Sequence, residues 1–98
     1  MIELKNKTVT KAEIIQEVSS AIGLTKLETE AILNAVISKI TKSLESKRRV
    51  EIRGFGSFCI RDRKSIRARN PKSGESIELP KRSIPYFRAS KLLKQRIN

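Results

Sequence analysis

The sequence predicts an α+β protein in which a helical first half supports a long, basic β-hairpin. Three observations predict this class. Two helix-start patterns follow one another within residues 10–28, strand-like alternation begins at Val50, and the basic stretch from Arg61 to Ile84 contains the hexapeptide RNPKSG at positions 69–74. Asn, Pro and Gly are residues that reverse a chain. At 98 residues the chain is expected to form a single domain, 1–98.

The positive charge is concentrated in the second half of the chain. Lys and Arg total 22 against 10 acidic residues, a formal net charge of +12. Residues 1–47 hold seven Lys and six Glu, whereas residues 48–98 hold fifteen basic and four acidic residues. This distribution predicts that one part of the molecule meets a polyanion. A generally basic, solvated surface is the alternative.

The residue types exclude most catalytic chemistry. The chain has no histidine, so the usual general base and soft metal ligand are missing. Cys59 is the only cysteine, which rules out an intrachain disulfide and favours a reducing compartment. Gly54-Phe55-Gly56 lacks the spacing of a phosphate-binding loop. We therefore expect no enzyme activity, no metal, no cofactor and no small-molecule substrate.

The N-terminal residues contain no apolar run of signal-peptide length, and no segment approaches a membrane span. These features predict a soluble intracellular protein without a membrane partner.

Two capping boxes predict the first two helices. Thr10 and Glu13 open a helix that stops at Gly23, and Thr25 and Glu28 open a second that runs to about Ser46. Apolar residues cover much more than half of the second helix, although an amphipathic helix on a small monomer needs an apolar face of about 100°. A stripe of Leu33, Val36, Ile37, Ile40 and Leu44 is flanked by further apolar residues. A second copy of the chain is the simplest partner; the alternative is that the first helix and the sheet cover it.

The second half of the chain is predicted to consist mainly of strands. Val50–Ile52 forms a short strand, residues 53–56 a turn whose two glycines allow positive φ, and a longer strand begins at Ser57. Alternation then places Arg61, Arg63, Arg67 and Arg69 on one face of a ribbon. The return limb, from Glu75 to about Ile84, adds Lys81 and Arg82. Residues 85–87 re-enter the core, and a last helix is predicted over 89–97.

Such a hairpin matches the shape of a groove-lying β-ribbon. Each limb of about ten residues reaches on the order of 30 Å at roughly 3.3 Å per residue. Pro71 at its tip has two interpretations, left even by the residues alone. It either makes the turn with Asn70, or it enters the DNA base stack as a wedge while Arg69 and Asn70 lie in the minor groove.

The motif residues resemble the bacterial HU/IHF family of DNA-bending proteins. The resemblance is carried by GFGSF at 54–58, Arg63 and ARNPKSG at 68–74. It implies an intertwined dimer with an α-helical base, a short β-sheet and two long β-ribbon arms that embrace DNA. It also implies a division of the domain into a helical dimerisation part (10–46), a sheet and DNA-embracing arm (48–88) and a C-terminal helix (89–97).

The resemblance also implies the binding residues. Pro71 matches the intercalating proline, and Arg49, Glu51 and Arg53 are similar to a sequence-reading clamp of the IHF β-subunit. The implied DNA-binding set is Lys11, Arg49, Arg53, Arg61, Arg63, Lys64, Arg67, Arg69, Asn70, Pro71, Lys72, Lys81, Arg82, Lys91 and Lys94. The implied dimer core is Ile37, Ile40, Leu44, Phe55, Phe58 and Phe87.

The expected function is that of an architectural, nucleoid-associated protein of the bacterial cytoplasm. It binds duplex DNA as a dimer, inserts arm-tip prolines in the minor groove, and bends or compacts DNA to assist transcription, replication or recombination. A homodimer is favoured; a sequence-preferring, IHF-like heterodimer with a paralogous subunit is the alternative. A basic RNA-binding or ribosome-associated protein is the alternative from another class, which competition between duplex DNA and duplex RNA distinguishes.

Overall fold

The described chain contains three helices and five strands. The computed structural model describes residues 7–63, 66–69, 72–79 and 81–98, and describes only the backbone of residues 66–69 and 77–79. In chain order the elements are α1 (Lys11–Ile22), α2 (Lys26–Glu45), β1 (Val50–Ile52), β2 (Gly56–Arg63), β3 (Ile66–Arg69), β4 (Ser76–Leu79), β5 (Arg82–Ala89) and α3 (Lys91–Ile97). This order confirms the predicted α+β class. Within the described ranges, each helix is too short or too polar to cross a bilayer.

The chain divides into two compact units between Lys39 and Ile40, within α2. In the first unit, Thr10 caps α1 by accepting a hydrogen bond from the backbone N–H of Glu13 at 3.3 Å. Thr25 and Glu28 form a complete capping box at the start of α2, with distances of 2.9 and 3.0 Å. The backbone N–H and then the hydroxyl of Thr25 hold the pKa of the Glu28 carboxyl below its ordinary value.

The first unit buries very little apolar surface. Among the described apolar residues only Ile15 is buried. An apolar groove runs between α1 and α2, and its lining includes Val18 and Ile32, which remain 39% and 54% exposed. Burial of apolar surface is the main favourable contribution to folding. The helices of one chain leave much of their apolar surface exposed, so this surface does not contribute to the stability of the single chain.

The second unit holds the end of α2, the strands and α3. The last turn of α2 closes when the N–H of Arg48 donates to the carbonyl of Ser43 and that of Lys47 to the carbonyl of Leu44, each at 2.9 Å. Lys47 has a φ of 62°, the left-handed conformation that commonly ends a helix and that glycine usually supplies.

The strands form a three-stranded antiparallel sheet in the order β1-β2-β5 and a two-stranded ribbon of β3 and β4. Arg63 pairs with Arg82 at the end of the sheet, and Ile66 pairs with Leu79 at the start of the ribbon. The two residue numbers of every pair have the same sum in the β2–β5 ladder of the sheet and in the ribbon. Two residues therefore separate the sheet from the ribbon on each limb. The predicted fold-back of this stretch is confirmed by this shared register.

The observed bounds of three elements differ from the predicted ones by one or two residues. Ala89 belongs to β5, and the last helix begins at Lys91 because Ser90 caps it, with its hydroxyl accepting from the N–H of Leu93 at 3.0 Å. The strand after the turn begins at Gly56, and only Gly54 in that turn has positive φ. The second helix ends at Glu45, one residue before the predicted end.

Gly56 lies where β2, β5 and the ring of Phe87 come close together. It pairs with Ala89 in the ladder and is buried. A Cβ at this position would lie 2.6 Å from the carbonyl oxygen of Arg88 and would overlap the ring of Phe87. The space in the sheet therefore fits only a hydrogen at this position.

We expect Gly56→Ala to lower the free energy of unfolding by about 1–3 kcal/mol, the usual result of forcing extra atoms into a filled site. Urea unfolding followed by circular dichroism measures it. Gly23→Ala is the control: an added Cβ there meets nothing within 4 Å, so only the strain of its φ of 74° remains. A Gly56→Ala protein as stable as the unmodified chain would contradict the packing described for this corner of the sheet.

Candidate nucleic-acid interface

The two faces of the three-stranded sheet differ in chemistry. Residues directly opposite one another in an antiparallel ladder share a face. One face carries Val50, Ile52, Phe58, Ile60 and Phe87; the other carries Glu51, Ser57, Cys59, Tyr86 and four arginines. We call this second surface the arginine face and define it by Arg61, Arg63, Arg82 and Arg88.

Aromatic contact holds one of these arginines against the sheet. The guanidinium carbon of Arg61 lies 4.6 Å from the centre of the Tyr86 ring. The two residues are diagonal neighbours, because Cys59 pairs with Tyr86 and Arg61 pairs with Ile84. A cation over an aromatic face is attracted by the ring quadrupole, so the arginine is oriented before any ligand arrives.

The end of the sheet places two like charges together. Arg63 and Arg82 are directly opposite partners, and both are exposed. Like charges in this position destabilise a sheet. A polyanion lying across them would relieve the repulsion, since its phosphates neutralise both guanidinium groups.

A second basic site surrounds the turn between β1 and β2. Arg49 donates from Nη2 to the hydroxyl of Ser57 at 3.0 Å and lies 3.5 Å from a carboxylate oxygen of Glu51. Arg49, Arg53 and Arg88 line one open recess of about 270 Å³ together with Ser57 and Glu51. Three arginines therefore line this recess, and the guanidinium of Arg49 is oriented by neighbouring side chains.

The ribbon of β3 and β4 carries other predicted residues. Arg67 pairs with Glu78 and Arg69 with Ser76 in the backbone register. Lys72 lies in the turn that precedes Gly74, whose φ is 75°. Lys64, Asn70 and Pro71, three residues of the predicted DNA-binding set, lie outside the described residues.

The remaining predicted contacts are scattered over other elements. Lys81 is exposed just before β5, and Lys91 and Lys94 are exposed on α3. Lys11 begins α1 in the first unit, where its amine donates to Oδ1 of Asn34 at 2.5 Å. That hydrogen bond orients Lys11 toward α2.

The predicted core residues are only partly covered in a single chain. Phe87 lies 5.1 Å from Phe55 and 5.0 Å from Phe58 between ring centres, which makes an aromatic cluster. Phe55, Phe87 and Ile37 remain 44%, 40% and 46% exposed, and Ile40, Leu44 and Phe58 are half-buried. The apolar face of the sheet is thus assembled but incompletely covered.

Reasoning from the sequence missed Arg88, Ser57 and Tyr86. Alternation along residues 82–88 was the signal that could have found them, since it places Arg82, Tyr86 and Arg88 on one side of a strand. The return limb was expected to end near Ile84, whereas β5 continues to Ala89 beside β2.

Comparisons with known proteins identify the family of the chain. Residues 9–98 match the family described as bacterial DNA-binding protein. The integration host factor subunit beta of Dichelobacter nodosus is 45% identical over 91 residues, covering 92% of this chain and 95% of that protein. An integration host factor subunit alpha of Anaeromyxobacter sp. (strain K) is 41% identical over 90 residues, covering 92% and 80%.

Solved structures show the same fold. An Anabaena HU–DNA cocrystal structure superposes with a TM-score of 0.80 at 35% identity, covering 91% of this chain and 97% of that one. HU from Thermotoga maritima gives a TM-score of 0.67 at 26% identity, covering 92% and 100%.

Proposed function

The chain belongs to the bacterial DNA-binding protein family that includes HU and integration host factor, and we propose that it binds and bends duplex DNA as a dimer. The protein is an architectural component of the bacterial nucleoid. By changing the path of DNA it assists transcription, replication or recombination, and the role requires no catalytic step.

One observation carries the DNA-binding assignment. Basic residues occupy one face of β2 and β5, and the separate ladder of β3 and β4 has the same register. A two-stranded ribbon of this kind fits a DNA groove, while the arginine face behind it meets phosphates. In this arrangement the arm follows the minor groove, and Pro71 enters a base step from the tip.

Exposed apolar surface supports the dimer. Groups that a stable protein usually covers remain exposed on both units of one chain, among them Val36, Phe55 and Phe87. A domain of this size is only marginally able to form a core of its own. A second copy covers these faces, with residues 10–46 as the helical dimerisation part, residues 48–88 as the sheet and arm, and residues 89–97 as the C-terminal segment.

We expect light scattering of the purified chain to give about twice the 11.1 kDa mass of one chain. The physical reason is that each chain alone leaves its aromatic cluster and α2 exposed. As a check that the exposed surface is responsible, Phe87→Ser is expected to shift the population toward monomer at low concentration, whereas Lys94→Ser is expected to leave it dimeric. A stable monomer of the unmodified chain would contradict the homodimer.

A sequence-preferring version of the same function has one specific observation in its favour. The hydroxyl of Ser57 and the carboxylate of Glu51 hold the guanidinium of Arg49 in one orientation, and Arg53 lines the same recess. Oriented side chains of this type can read base edges as well as phosphates. Selection of preferred sites from random duplexes distinguishes the two versions, because only a sequence-reading protein returns a consensus.

A further inference from the structure

Side chains from β2, β5 and the turn after α2 meet at the end of the sheet from which the arm extends. Ser83 donates from its hydroxyl to Oδ1 of Asp62 at 2.6 Å, and the amine of Lys47 donates to the Ser83 hydroxyl. The same amine lies 3.5 Å from Asp62 Oδ1. We call Lys47, Asp62 and Ser83 the root network; it joins the segment after α2 to β2 and β5.

The position of the root network gives it a mechanical role. Asp62 and Ser83 are directly opposite partners, one row before the Arg63–Arg82 pair that ends the sheet. The two arginines repel each other across the strands. The hydrogen bond between Asp62 and Ser83 ties the strands together at the adjacent row and offsets that repulsion.

Lys47 provides the connection to the helix. Its backbone has a φ of 62° beside the closing hydrogen bonds of α2, and this conformation sets the direction of its Cα–Cβ bond. Beside it, Leu44, Ile60 and Pro85 line an open recess of about 360 Å³ between the end of α2 and the strands. Polar contacts from Lys47 add to the apolar contacts between the end of α2 and the strands.

The lowered pKa of Asp62 supports a stable contact within the root network. The hydroxyl of Ser83, and then the ammonium of Lys47, hold the pKa of the Asp62 carboxyl below its ordinary value. Asp62 is therefore ionised at neutral pH, when the network is complete. Because the side chains of Lys47 and Asp62 are about half exposed, the network adds little to the free energy of unfolding, and its effect is confined to the strands and the turn that it joins.

We propose that Lys47, Asp62 and Ser83 are positioning residues that fix the direction in which the arm leaves the sheet. The consequence for DNA, which rests on the proposed bending function, is a narrow range of bend angles. A two-stranded ribbon has little stability of its own, so its direction depends on what holds its base.

Three substitutions separate geometry from charge. Asp62→Asn raises the net charge by one, Lys47→Met lowers it by one, and Ser83→Ala leaves it unchanged. A charge effect would move DNA affinity in opposite directions for the first two. Loss of positioning would instead affect the direction of the arm in the same way for all three. Ser83→Thr keeps the hydroxyl and is the conservative control.

The direction of the arm is measured in the free protein, without DNA. Spin labels at Glu75→Cys and Lys94→Cys, in a Cys59→Ser background, give the distance between the ribbon and α3 within one chain when labelled protein is diluted with unlabelled protein. We expect each of the three variants to broaden this distance distribution by roughly twofold, because the ribbon is not stiff by itself, and Ser83→Thr to retain the original width. Circular dichroism confirms that each variant is folded.

The outcomes are distinct. Unchanged widths in all three variants overturn the proposal and show that packing alone orients the arm. If widths broaden but the unmodified protein leaves DNA straight, the root network stands and the bending function fails. If DNA is bent but Ser83→Ala leaves both the width and the spread of bend angles unchanged, the function stands and the root network has no positioning role.

Discussion

Replacing both arginines at the end of the sheet, Arg63→Ala with Arg82→Ala, is expected to weaken duplex DNA binding by roughly 100-fold or more at low salt. In the proposed homodimer this substitution removes four cations, each contributing on the order of 1 kcal/mol to a charged contact. The logarithm of affinity should also fall less steeply with the logarithm of salt concentration, by about 0.9 for every lost phosphate contact. Fluorescence anisotropy of a labelled duplex over a salt series measures both quantities.

The double arginine variant also separates an effect on DNA binding from an effect on protein stability. Because Arg63 and Arg82 are directly opposite like charges, their removal should leave the free energy of unfolding unchanged or slightly raised. A matched control, Lys7→Ala with Lys26→Ala, removes the same charge from the first unit, and we expect a much smaller loss of affinity. Equal losses in the two variants would mean that net charge alone, without the arginine face, governs binding.

Replacing Pro71 with alanine is expected to reduce the bend of a bound duplex far more than it reduces affinity. An apolar wedge partly unstacks a base step, at a cost of about a few kcal/mol, and the resulting kink turns the duplex. Without the wedge that cost disappears together with the kink, so the change in affinity is small while the path of the DNA straightens. Energy transfer between dyes at the two ends of a short duplex measures the bend.

A second proline supplies the control for Pro71. Pro85 lies in β5 opposite Ile60, within the sheet. Pro85→Ala changes the same residue type at a distance along the chain from the ribbon turn, and we expect it to leave the bend of the bound duplex unchanged. If Pro71→Ala also left the bend unchanged, Pro71 would be a turn residue only, and the kink would have to arise elsewhere on the arm.

Local chemistry explains why much of the fold could be predicted. The capping box of Thr25 and Glu28 acts within four residues, so its pattern identifies the start of α2 directly. Alternation along residues 57–63 likewise assigns each side chain to a face, because the period of a strand is two. Both predictions depend only on residues that are close together in the chain, and such patterns can be recognised directly in the sequence.

Features that depend on distant residues were not predictable in the same way. Alternation places Arg82 and Arg88 on one side of a strand, but only the pairing of β5 with β2, with Arg88 opposite Ser57, brings them to the same face as Arg61. The left-handed conformation of Lys47 occurs at a residue type that gives no signal for it. The root network requires Asp62 and Ser83 to be paired in register, and this pairing exists only once the ladder has formed.

The exposed apolar surface links the fold to the function. A chain that covered all its apolar groups would present one basic arm, whereas a dimer presents two. Two arms that each kink the duplex can turn its ends toward each other, which explains how a small protein could change the path of DNA. The dimer is therefore part of the mechanism and also a source of stability.

The most direct test of the central claim is energy transfer between dyes at the ends of a short duplex, titrated with the unmodified protein. A bending dimer predicts that transfer efficiency rises and reaches a plateau at two chains per bound site, and that high salt reverses the rise. Saturated binding without any increase in transfer, or a plateau at one chain per site, would contradict the claim.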